Sequence, residues 1–176
     1  PVDGDGDGDL DYVLTDEPGS RTQCLDCGIR IFMNVDGAFT DSGQNLRGAD
    51  STPPGTSALA LGDVDGNGLV DLVQAGAQFD PLGGQVWLNG IGPDAKGTFS
   101  PGALLALSDS ASVQGLALGD LDGDGDLDLV FTDLDDDESA GGSRIWFNDG
   151  GGAFVDSGQE LRLEGQYFVS VALVDL

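Results

Sequence analysis

Apolar residues in this chain come in runs of three to five, broken by Gly, Pro, Asp and Ser, and no run holds a helical period for three turns. That pattern predicts short strands joined by turns. The runs also repeat. Ala58-Leu-Ala-Leu-Gly-Asp63 returns as Gly115-Leu-Ala-Leu-Gly-Asp120 and as Ser170-Val-Ala-Leu-Val-Asp175. Arg30-Ile-Phe-Met-Asn34 returns as Gln85-Val-Trp-Leu-Asn89 and Arg144-Ile-Trp-Phe-Asn148. Gly37-Ala-Phe39 returns as Gly97-Thr-Phe99 and Gly152-Ala-Phe154. Matched positions fall 55 to 60 residues apart, so the chain is three copies of one unit.

Each unit reads as four short strands. The first covers 58–62, 114–119 and 169–174, with a small alanine at its centre (Ala60, Ala117, Ala172). The second covers 11–15, 71–75 and 128–132 and follows an Asp-rich loop. The third is the Ile/Val-aromatic run, whose consecutive apolar residues predict burial on both faces. The fourth is the short Gly-x-Phe segment. Four-stranded antiparallel units at fixed spacing predict an all-β array of β-propeller-type blades stacked face to face. Trp87 and Trp146, mid-strand between apolar neighbours, read as core between blades rather than as ligand platforms. The expected units are 1–56 (a blade without its first strand), 57–112, 113–166, and 167–176 as the first strand of a further blade. The Gly/Ser/Pro-rich stretches 43–56 and 102–112 read as links between blades.

Composition changes the picture mainly by exclusion. The chain has 176 residues, 32 Asp+Glu against 6 Lys+Arg, no histidine and a net charge of −26. Such a charge excludes nucleic acid as a natural partner, since phosphate binding needs clustered Lys and Arg. It also argues against anionic membranes, and no apolar run approaches the roughly 18 residues of a spanning segment. Without histidine, Ser/His/Asp and Cys/His catalysis are ruled out, and no feature selects a carboxylate pair from so many acids, so no enzyme is expected. Oxygen ligands remain, and they suit hard cations.

The acids concentrate in three loops. Asp3-Gly-Asp5-Gly-Asp7-Gly8-Asp9-Leu-Asp11 is the first. Asp63-Val-Asp65-Gly-Asn67-Gly68-Leu69-Val-Asp71 is the second, and Asp120-Leu-Asp122-Gly-Asp124-Gly125-Asp126-Leu-Asp128 the third. All place oxygen side chains at positions 1, 3, 5 and 9, with glycine at 6 for a sharp turn. The carbonyl of position 7 (Asp9, Leu69, Asp126) can add a ligand. This is how an EF-hand calcium loop opens, but the bidentate Glu at position 12 is missing; an Asp at position 9, entering a strand, closes the site instead. We expect about three Ca2+ ions, with calcium favoured over magnesium, which prefers near-ideal octahedra. Loop two, with an amide in place of one carboxylate, is expected to bind most weakly.

The Asp-x-Asp-Gly-x-Gly-x-x-Asp loop, the aromatic third strand ending in Asn and the Gly-x-Phe segment together resemble the FG-GAP/VCBS repeat family. The resemblance implies propeller blades of integrin-α-like type, calcium at loop positions 1, 3, 5 and 9, and an extracellular, secreted or cell-surface role in adhesion or ligand binding. Family propellers usually close with about seven blades, and three cannot close a ring. Copy one lacks its own first strand, while 169–174 repeats a first strand with no blade after it. Two arrangements satisfy this. The strand of one copy is donated to blade one of another, giving head-to-tail self-assembly as a ring or filament. Alternatively, the sequence is an excerpt of a larger closed propeller acting as a glycan- or protein-binding module. Cys24 and Cys27 lack the partners of a zinc site and read as a local disulfide in an oxidising exterior. The acidic run from Asp133 to Glu138 reads as a solvated loop.

Overall fold

The computed structural model describes residues 3–15, 28–47, 56–76, 83–90, 96–107, 112–133, 143–162 and 168–174. Cys24, Cys27 and residues 134–138 lie outside them. Among the described residues all regular structure is β. The strands are β1 (Tyr12–Thr15), β2 (Ile29–Val35), β3 (Ala38–Leu46), β4 (Thr56–Gly62), β5 (Asp71–Gly76) and β6 (Gly84–Asn89). They continue with β7 (Phe99–Leu105), β8 (Val113–Gly119), β9 (Asp128–Asp133), β10 (Ser143–Asn148) and β11 (Phe154–Leu161). They form three antiparallel sheets in meander order, β1-β2-β3, β4-β5-β6-β7 and β8-β9-β10-β11, and the described strands do not close into a ring.

The repeat extends to the registers. The pairs Leu61↔Leu72 and Leu118↔Leu129 join first to second strands at equivalent positions. Each third-to-fourth pairing slips once, between Arg30 and Phe32, Gln85 and Trp87, and Ile145 and Trp146. β2 and β3 are joined by Asp36-Gly37, both at positive φ (53° and 86°), which suits the primed two-residue hairpin turn.

The sheets bury their faces against one another. Ile29, Ile31 and Leu46 of the first sheet meet Leu72, Trp87 and Phe99 of the second. Val64, Val73, Val86 and Leu105 of the second meet Val113, Leu129, Phe131 and Trp146 of the third. Both tryptophans are therefore core, as their flanking residues predicted. Trp146 meets Phe131 edge-on, with ring centroids 5.7 Å apart. β4 lies beside β8, and the close approach is made at a glycine: a Cβ on Gly62 would meet Leu118 Cδ1 at 3.1 Å and Leu127 Cδ1 at 2.7 Å.

Two expectations need correction. The fourth strand is not a short Gly-x-Phe piece but runs seven to nine residues, taking in 43–46 and 102–105 that were assigned to links. Its hydrophobic signature is weak because it is the outer strand; β11 is largely exposed and alternates without an apolar face. Residues 168–174 belong to no ladder. The segment nevertheless lies where a following first strand would: Ser170 and Val171 approach Gly115, and Leu173 packs on Gly119 as Leu118 packs on Gly62.

Candidate metal centres

The acidic loops lead into β1, β5 and β9, so position 9 is fixed by the sheet while positions 1 to 8 form an excursion. Glycine is required at two points of it. Positions 4 and 6 both take φ between 71° and 99° (Gly6 and Gly8, Gly66 and Gly68, Gly123 and Gly125), a region that side chains disfavour. The sequence pattern singled out position 6; position 4 is equally constrained.

The carboxylates of positions 1, 3 and 9 come together in every loop. Asp3, Asp5 and Asp11 form one group, Asp63, Asp65 and Asp71 a second, and Asp120, Asp122 and Asp128 a third, each with one oxygen per residue within 4.8 Å of the others. The position-5 acids Asp7 and Asp124 are not in those groups. Each position-5 side chain turns to the position-7 amide instead: Asp9 N–H donates to Asp7 Oδ1 (2.8 Å), Leu69 N–H to Asn67 Oδ1 (2.7 Å) and Asp126 N–H to Asp124 Oδ1 (2.9 Å). At position 7, Asp9 accepts the Asp36 N–H on its carboxylate, and Leu69 has no side-chain oxygen; neither joins the carboxylate groups.

Position 9 is the anchor. Asp11, Asp71 and Asp128 are all buried, at 1%, 0% and 0% exposure. One carboxylate oxygen takes the position-2 amide of the same loop: Gly4 N–H at 2.7 Å, Val64 N–H at 2.9 Å and Leu121 N–H at 2.8 Å. The other takes the amide of an asparagine at or next to the end of the third strand: Asn34 at 2.8 Å, Asn89 at 2.8 Å and Asn148 at 3.0 Å. Two amides orient each carboxylate but do not neutralise it. The side-chain ion pairs Arg30–Asp41, Arg144–Asp156 and Arg162–Glu160 all lie elsewhere.

Crowding without a cation shows in the acidities. Desolvation pushes the Asp71 carboxyl up to about 6; the N–H bonds from Asn89 and Val64 oppose it, and the Asp65 and Asp63 charges add to it. Asp5 and Asp122 are also raised, first by desolvation and then by neighbouring loop carboxylates, against an opposing amide bond. A divalent cation removes both causes at once. The donors brought together are all hard oxygen: three carboxylates per loop, with lone pairs left over on oxygens that accept only one N–H. Such a set fits calcium.

The asparagines ending the third strands were visible in the sequence only as landmarks. They close the sites. Besides donating its amide to position 9, each uses its side-chain Nδ2 to hold the position-8 carbonyl: Leu10 O, Val70 O or Leu127 O. Its Oδ1 accepts an N–H from the turn into the fourth strand, from Gly37, Gly97 or Gly152.

The fold and these loops define a class: an all-β repeat module with a three-carboxylate loop at the entrance to every second strand. The family model for the FG-GAP-like repeat matches residues 3–73, from the first acidic loop through the second, and that part of the chain is similar to the family. No curated protein and no solved structure gives a match. The three antiparallel sheets are consistent with propeller-like blades. No helix among the described residues is long and apolar enough to cross a membrane.

Proposed function

We propose that this is an extracellular calcium-binding repeat protein, non-catalytic, with a structural or adhesive role. The observation that carries the reading is the threefold recurrence of a buried, amide-anchored carboxylate with two further carboxylates within 4.8 Å of it. Held so close without a cation, such groups repel. Each Ca2+ cancels two negative charges, so three ions bring −26 to about −20. Calorimetric titration of the metal-stripped protein tests this. The expected result is about three calcium ions per chain; no heat and no uptake would overturn the reading.

The same reading includes head-to-tail assembly. β1 is an edge strand with Tyr12 and Leu14 exposed, and 168–174 is a first-strand sequence outside any ladder. Carrying the β4–β5 register over to that pair would set Leu173 opposite Tyr12, Ala172 opposite Val13 and Val171 opposite Leu14. A second reading shares the calcium sites and takes the chain as part of a larger closed propeller that binds a glycan or protein. It is favoured by 168–174 lying along β8 where the next blade of the same chain belongs. Light scattering of residues 1–176 in calcium separates the two: multiples of the 18.0 kDa chain support assembly, and a stable monomer overturns it.

A further inference from the structure

Asn89 and Asn148 each touch two acidic loops. Asn89 closes loop two through Asp71 Oδ1 and Val70 O, and the same Nδ2 donates to Gly4 O of loop one at 2.6 Å. Asn148 closes loop three through Asp128 Oδ1 and Leu127 O, and its Nδ2 donates to Val64 O of loop two at 2.8 Å. The carbonyls they hold belong to position 2, between the ligands of positions 1 and 3. The position-2 amides in turn donate to the position-9 carboxylates Asp11 and Asp71. One hydrogen-bonded chain therefore runs Asp128, Asn148, Val64, Asp71, Asn89, Gly4, Asp11.

We propose that Asn89 and Asn148 are positioning residues that couple neighbouring cation loops, so that calcium in one loop tightens its binding in the next. The proposal rests on the calcium reading above. Both asparagines are buried, so water does not readily replace a bond that is lost. A cation that fixes Asp128 fixes the amide of Asn148, and with it the Val64 carbonyl between Asp63 and Asp65. The ordering of loop two is then partly accomplished before its own ion arrives, which is positive coupling, and linkage makes it reciprocal.

The test follows calcium titration by amide NMR, with Gly66 and Gly68 reporting loop two and Gly123 and Gly125 reporting loop three. Loop three is blocked by Asp120→Asn with Asp122→Asn. The expected result is that blocking loop three weakens calcium binding at loop two about fivefold or more. In an Asn148→Ala background the same block leaves loop two unchanged. Equal loop-two affinity with loop three blocked or intact overturns the coupling, and that comparison needs no asparagine variant. No calcium-dependent shift at any loop overturns the calcium reading and this proposal together; loops that fill independently overturn this proposal alone.

Discussion

Asp71 shows what a single residue contributes to a site of this kind. Its carboxyl sits at about 6 in the folded, metal-free chain against 3.8 ordinarily. A folded-state value above the unfolded one means the native state binds the proton more tightly. In metal-stripped protein Asp71 therefore adds stability as pH falls through about 6 toward about 4, and adds least above about 6. With calcium present the proton competes with the ion, so affinity at loop two falls over the same range. Thermal melts at about pH 7 and about pH 5, with and without calcium, should show the calcium-induced rise in Tm shrinking at the lower pH; an increment independent of pH would contradict this. At position 5, Asn67→Asp is expected to tighten loop two by supplying the missing carboxylate. It also removes the amide that donates to Asp65 Oδ2 and Asn89 O; a dissociation constant that does not fall would count against loop two being the weakest for want of a carboxylate.

At the scale of the strand, packing makes the two tryptophans unequal. Trp87 Nε1 donates to Gln74 Oε1 at 3.1 Å, whereas Trp146 Nε1 is buried with no partner among the described residues. Trp87→Phe strands a buried acceptor; Trp146→Phe removes an unsatisfied donor. Chemical denaturation should find Trp87→Phe the more destabilising by about 1–3 kcal/mol, and the reverse order would refute the assignment. Gly84, which opens β6, is a second sensitive point, since a Cβ there would meet Gln74 O at 2.6 Å and Leu105 Cδ1 at 2.9 Å. Gly84→Ala should cost about 1–3 kcal/mol by overpacking, read in the same experiment. Strands one to three were legible in the sequence because each carries an apolar core run, and the convergence of the position-1, 3 and 9 carboxylates because three copies repeat them. The outer strand was not, because β11 needs no apolar face where one side meets solvent. Nor was the reach of Asn89, whose partner Gly4 is 85 positions away and contributes only a carbonyl.

For the whole molecule the balance is electrostatic. A chain carrying −26 repels itself on compaction, and 13 of its 32 acids are in the three loops. Calcium bound to the folded chain alone stabilises it by about 2.7 kcal/mol per site at a hundredfold excess over the dissociation constant. Adding a chelator near neutral pH should lower Tm substantially, and a melt indifferent to chelation would remove calcium from the account of stability.

The glycine at the end of each first strand sets the pitch of the stack. Leu118 sits in the gap left by the absent side chain of Gly62, and Leu173 in the gap at Gly119, so each unit seats on its predecessor in one direction only. The next position in that series is Val174, which is largely exposed. A unit seated on 168–174 meets an isopropyl group where its forerunners met a notch. Such a unit would have to ride farther out there or bring something smaller than leucine.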